Sequence, residues 1–226
     1  QADTCTWSVT SRTDGEERTE IYDVVISGLG QLNRPAYPDI EGRDGFAGTV
    51  FHSARWNHDH DLAGERVAVI GNGASAIQFI PEIQPTVGEL VVFQRSANWI
   101  MPRNDRPFTE RTKRAFTTVP GLQRAYRSLI YLTLESRFLA LKEGSRAGPI
   151  AAKITGDYLE REVADPHLRA VLTPDYPVGC KRILISDDYY RALVQPNVTV
   201  VRDRIARIEP DAVLTGDGQR HEVDTI

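Results

Sequence analysis

Residues 67–83, VAVIGNGASAIQFIPEI, run apolar, break on two glycines and resume with apolar residues at helical spacing. The segment Gly71-Asn72-Gly73-Ala74-Ser75-Ala76 fits G-x-G-x-x-G/A directly after a strand and opening a helix. The first glycine permits the tight turn, and the second lets the backbone approach a pyrophosphate. The small Ala76 allows close helix–strand packing. Phosphate would sit at the helix N-terminus, where unpaired N–H groups and the helix dipole attract anions. The following apolar run, LVVFQR at 90–95, predicts a second strand, so strand (66–71), helix (74 to about 84) and strand compose a βαβ unit.

The end of that second strand selects the nucleotide. An NAD site places Asp or Glu there for the ribose 2′-hydroxyl, whereas this strand ends Phe93-Gln94-Arg95-Ser96, with Arg95 22 residues beyond Gly73. A carboxylate repels a 2′-phosphate; a guanidinium pairs with it bidentately, and the Ser96 hydroxyl donates to it. The expected nucleotide is NADP(H). A second pair of glycines, Gly28-Leu29-Gly30, does not repeat the motif, because Asn33 stands at the third position and Pro35 and Pro38 block a following helix.

Elsewhere the chain alternates between strand-like and helical stretches. TWSVTS, the turn DGEE and the apolar run IYDVVIS suggest a hairpin over residues 5–26, followed by a Gly- and Pro-rich linker. From about 109 to 146, Leu122, Tyr126, Leu129, Ile130, Thr133, Leu134, Phe138 and Leu141 recur at steps of three and four. Residues 103–146 hold ten Lys and Arg against four Asp and Glu, although the net charge of the whole chain is -4. A solvated face over a buried stripe accounts for this more simply than a helix lying on a membrane surface. KRILIS, VTVVRD, ARIEP and AVLT read as strands, with TGDGQR as a hairpin turn.

The acidic balance argues against a general nucleic-acid binder, and no apolar run approaches the ~20 residues of a membrane span. Cys5 and Cys180 match no metal or redox spacing and read as reduced thiols of a cytoplasmic protein. The chain opens on Gln1 and stops at HEVDTI, which suggests a piece of a longer protein.

Between the linker and the glycine turn lies Phe46-Ala47-Gly48-Thr49-Val50-Phe51-His52-Ser53-Ala54-Arg55-Trp56. The spaced set F-x-G-x-x-x-H-x-x-x-W resembles the fingerprint of the Baeyer–Villiger monooxygenases, a branch of the flavin-dependent class B monooxygenases. Trp56 favours that branch over the broader flavin-containing monooxygenases, which usually carry Tyr there; Asn57 departs from the usual Pro or Asp. SGLGQLNRPAYPDIEG is similar to the linker leaving the FAD domain, and CKRILISDDYYRALVQPNVTVV to the segment returning toward the flavin. The resemblance gives Lys181 a role in holding the 2′-phosphate. It gives Arg182 the role of a mobile cation that stabilises anionic charge during oxygen transfer, and it adds His52 as a catalytic candidate.

The expected fold class is α/β: a Rossmann-like doubly wound nucleotide-binding domain with a helical insertion, flanked by β-rich remnants of the FAD domain. The expected division is 1–40 for the FAD-domain tail and linker and 41–222 for the NADPH domain, with its insertion at about 109–147. Residues 223–226 then start the return. The resemblance implies FAD and NADP(H) as cofactors, O2 and a small ketone, sulfur or nitrogen compound as substrates, and no nucleic-acid partner. Two alternatives stay open: an N- or S-oxygenating flavin monooxygenase, and a stand-alone NADP(H)-binding module.

Overall fold

The apolar runs VAVI (67–70) and LVVF (90–93) are buried on both faces because they form neighbouring strands of a parallel sheet covered on either side. The computed structural model describes residues 5–30, 32–136, 138 and 148–226. It divides into a small unit ending at Pro38 and a larger one, Asp39–Ile226.

The small unit holds an antiparallel hairpin of β1 (Trp7–Thr13) and β2 (Glu16–Tyr22), with Trp7 opposite Tyr22. Asp14 and Gly15 both have positive φ, 52° and 86°, the geometry of a two-residue turn whose twist suits a hairpin. The ladder therefore begins at Glu16, earlier than the apolar run suggests, and Val24–Ile26 fall outside it.

In the larger unit, β3 (Arg66–Ile70), β4 (Glu89–Phe93) and β7 (Val198–Val201) form a parallel sheet in the order β3-β4-β7. Residues 224–226 lie along the free side of β3: the Ala68 N–H donates to the Thr225 carbonyl at 2.8 Å. Residues 49–51 follow in turn, with the Ile226 N–H on Thr49 and the Phe51 N–H on Ile226.

Strand alternation divides the core. Val67, Val69, Leu90 and Val92 face one side, packing against α1 (Ala76–Ile83), α4 (Gly148–Glu162), α5 (Pro166–Leu172) and α6 (Tyr189–Leu193). Ala68, Val91, Phe93 and Val201 face the other side, against Ile208, Val213 and Val223. Those partners belong to or adjoin the antiparallel sheet of β8 (Ile205–Ile208), β9 (Ala212–Thr215) and β10 (Arg220–Glu222). A β layer thus occupies the face where a doubly wound sheet would carry helices.

The basic stretch divides into α2 (Glu110–Thr118), capped by the Thr109 hydroxyl, and α3 (Leu122–Ser136). The remainder of that expected helical region, apart from Phe138, lies outside the described residues as far as 147. KRILIS contributes only β6 (Leu184–Ile185), parallel to β5 (Ile100–Met101), so Lys181 and Arg182 precede the strand in a loop. Helix α4 was not anticipated. Among the described residues, no helix is long and apolar enough to cross a membrane.

Candidate functional site

The glycine turn connects β3 to α1. Gly71 adopts φ +107°, which an L side chain rarely tolerates, and its N–H donates to the Phe93 carbonyl at 2.9 Å. Gly73 has a different role: a Cβ built there meets no atom within 4 Å, so packing does not demand glycine. Its backbone faces open space at the start of α1. Among the described residues, the amides of Gly73, Ala74, Ser75 and Ala76 donate no hydrogen bond. Ser75 does not cap the helix with its side chain, and Ala76 is buried against the core. This is a cradle of outward N–H groups at a helix N-terminus, suited to a phosphate.

A polar network fixes the cradle to the segment after β4. The Asn72 amide donates to Gln94 Oε1 at 2.8 Å and to the Ser96 carbonyl at 2.9 Å. Gln94 is only 2% exposed, and its own amide donates to the Val171 carbonyl at 3.1 Å. Asn98 donates back to the Asn72 carbonyl at 2.8 Å. A buried amide must satisfy both its ends, and Gln94 does so by tying the glycine turn to the C-terminal end of α5.

Ser96 is where the second chain segment arrives. Lys181 Nζ donates to Ser96 Oγ at 2.7 Å and stands 4.4 Å from the centroid of the Tyr176 ring. The Tyr176 hydroxyl donates to the Ala97 carbonyl at 3.0 Å, and the Trp99 indole donates to the Tyr176 carbonyl at 2.9 Å. Burial, the largest cause, raises the Tyr176 pKa, so the phenol stays protonated as a donor. Arg95 is exposed at the end of β4, next to Ser96. Among the described residues, neither Arg95, Lys181 nor Arg182 forms an ion pair, so three basic side chains stand uncompensated.

The fingerprint segment serves the frame around this cradle. Phe46 packs into the core under the antiparallel sheet. A Cβ on Gly48 would overlap the Asp224 carbonyl oxygen and come within 2.6 Å of the Phe46 ring, so only glycine fits. His52 Nδ1 accepts from the Ala54 N–H at 3.0 Å and caps a short 3-10 turn, Ser53–Arg55. Trp56 stacks edge-on against Phe51 at 5.0 Å and against Phe79 of α1 at 5.4 Å. The structure therefore brings Gly71–Ala76, Ser96 and Lys181 together, and places His52 on the frame.

A profile of the flavin-binding monooxygenase-like family matches residues 1–111. The chain is 44% identical over 204 residues to a Baeyer-Villiger monooxygenase of Pseudomonas aeruginosa, covering 90% of this chain and 39% of that protein. A Baeyer-Villiger monooxygenase of Streptomyces coelicolor matches with the same identity and coverage. The chain is thus similar to flavin-dependent monooxygenases over most of its length. It spans well under half the length of these relatives. Among solved structures, cyclohexanone monooxygenase from Rhodococcus sp. Phi1 bound to NADP+ superposes with TM-score 0.78 at 26% identity, over 100% of this chain and 49% of that one.

Sequence reasoning missed several residues of this candidate site. The motif includes Asn72 among the cofactor-binding residues, whereas it does not mark Gln94, Asn98, Trp99 and Tyr176. The one available signal was the polar run Gln94-Arg95-Ser96-Ala97-Asn98 interrupting an apolar strand end.

Proposed function

We propose that Asp39–Ile226 is the NADP(H)-binding part of an FAD-dependent monooxygenase of Baeyer–Villiger type, with a Rossmann-like βαβ core. The proposed whole protein inserts one oxygen atom from O2 beside a ketone carbonyl, or oxidises a soft sulfur or nitrogen centre. The other oxygen atom leaves as water. The observation that carries the nucleotide assignment is the Lys181–Ser96 bridge beside Arg95, with no carboxylate paired to either cation among the described residues. It lies at the end of β4, tied through Asn72 to the glycine turn, where a Cβ built on Gly73 meets no atom within 4 Å.

The residues fit an NADP(H) dinucleotide by type. The N–H groups of Gly73–Ala76 would hold the pyrophosphate, and Arg95, Ser96 and Lys181 the 2′-phosphate. A bidentate guanidinium and an ammonium distinguish a phosphate dianion from a hydroxyl far better than neutral donors do. Flavin supplies the O2 activation that a nicotinamide does not. Among the described residues, one glycine turn of this kind follows a strand and opens a helix, and residues 23–30 contain no helix. The FAD phosphate loop is therefore not assigned to these residues.

Arg182 is proposed as the cation that stabilises anionic charge developing on the substrate during oxygen transfer, a permanent charge held near the reacting atoms. His52 is proposed to act through the fingerprint frame, holding the segment between linker and glycine turn. The deciding experiment is calorimetric titration of the 226-residue chain with NADPH and NADH. Preference for NADPH by tenfold or more supports the assignment; equal affinities would sink it.

A further inference from the structure

We propose that Tyr176 is a specificity-determining positioning residue, whose ring holds the Lys181 ammonium ready for the 2′-phosphate of the nucleotide. The inference rests on the NADP(H) reading above and adds a residue that does not itself touch phosphate. A lysine carries its charge on a flexible four-carbon stem, so an exposed ammonium loses rotamer freedom each time it engages a ligand. Here that freedom is already restricted. Lys181 Nζ stands 4.4 Å from the Tyr176 ring centroid, within cation–π range, while donating to Ser96 Oγ at 2.7 Å.

The platform is itself fixed at both ends. The Tyr176 hydroxyl donates to the Ala97 carbonyl at 3.0 Å, and the Trp99 indole donates to the Tyr176 carbonyl at 2.9 Å. Both partners belong to the segment that carries Arg95 and Ser96, so the ring that supports the ammonium is fastened to the stretch of backbone that carries the hydroxyl and the guanidinium. Asp175, the residue before Tyr176, pairs with Arg202 at 3.4 Å, not with Lys181. Lys181 thus keeps its charge for a ligand, and an aromatic face supports that charge without neutralising it.

The test is calorimetric titration of the parent chain, Tyr176→Leu and Tyr176→Phe with NADPH and with NADH. Tyr176→Leu should weaken NADPH about three- to tenfold while NADH stays within about twofold, since only NADPH carries the phosphate that Lys181 meets. Tyr176→Phe should keep most of the NADPH affinity, because the ring remains. Unchanged NADPH affinity in Tyr176→Leu would overturn the proposal. So would equal losses for both nucleotides, which mark a structural role, or a loss in Tyr176→Phe as large as in the leucine variant. A parent chain that binds NADPH no better than NADH would instead bring down the nucleotide assignment beneath it.

Discussion

The Lys181 ammonium donates to the Ser96 hydroxyl across 2.7 Å, although 85 residues separate them in the chain. This contact brings the loop before β6 to the end of β4, where the ribose of a dinucleotide lies when the pyrophosphate sits on the glycine turn. Lys181→Ala and Arg95→Ala should each weaken NADPH binding by tenfold or more, since one charged contact contributes about 1.5–3 kcal/mol. NADH binding should be nearly unchanged in both. Calorimetry with the two nucleotides checks this, and parallel losses would count against a 2′-phosphate role.

Two glycines of the chain should respond in opposite ways. Gly73→Ala places its Cβ where no atom lies within 4 Å, so the melting temperature should hold while nucleotide affinity falls by about tenfold or more, the backbone no longer being open to phosphate. Gly48→Ala drives a Cβ into the Asp224 carbonyl and to 2.6 Å from the Phe46 ring. Overpacking of this kind costs about 1–3 kcal/mol, which lowers the melting temperature by several degrees in a domain of this size. Differential scanning fluorimetry with and without NADPH separates the two effects.

The glycine turn and its flanking strands were legible in sequence because their signals are local: an apolar run, two glycines, and a resumption at helical spacing. Arg95 and Ser96 were legible through their distance from Gly73. Tyr176, Asn98 and Gln94 were not, because their partners lie 22 to 79 residues away and depend on how one segment registers against another. Helix α4 escaped notice for a different reason. It opens on Gly148-Pro149, carries Gly156, and buries only Thr155, Tyr158 and Leu159, too few for a clear stripe. In the hairpin, turn geometry outweighed apolarity: Asp14-Gly15 sets the register, and the ladder ends before Val24.

Gln94→Leu should affect both nucleotides alike. The substitution leaves the Asn72 amide without one of its two acceptors and the Val171 carbonyl without its donor, at about 1–3 kcal/mol of stability. The glycine turn then loses one of its ties to the end of β4, so NADPH and NADH affinities should fall together. A loss confined to NADPH would mean that the network serves the 2′-phosphate directly.

Acid stability should report on the contact between β3 and the C-terminal residues. Arg66 donates to both Asp224 oxygens and to Glu222, and the Arg66 hydrogen bonds hold the Asp224 carboxyl down at about 2 from an ordinary 3.8. A folded-state pKa below the unfolded value means that the contribution is complete above pH 3.8 and is lost as pH falls toward 2. Asp224→Asn should lower the melting temperature at neutral pH and flatten its decline between those limits. An unaltered acid limb would assign that decline to other carboxylates.

Arg182 and Lys181 are neighbours in sequence with different proposed tasks, and substitution should separate them. Both are exposed, and neither forms an ion pair among the described residues, but only Lys181 is seated on Ser96. In the full-length protein, Arg182→Ala should leave NADPH affinity within about twofold of the parent, because the 2′-phosphate contacts remain with Arg95, Ser96 and Lys181. Formation of oxygenated product should fall by ~10²–10³, the usual cost of removing one preorganised charge from a centre where anionic charge develops. Arg182→Lys should recover little, since a point charge on a flexible stem lacks the planar fork of a guanidinium. Nucleotide titration and product analysis on the same preparations measure the two tasks independently. Product formation near the parent rate in Arg182→Ala would show that this arginine is a surface cation, with oxygen transfer supported by other residues.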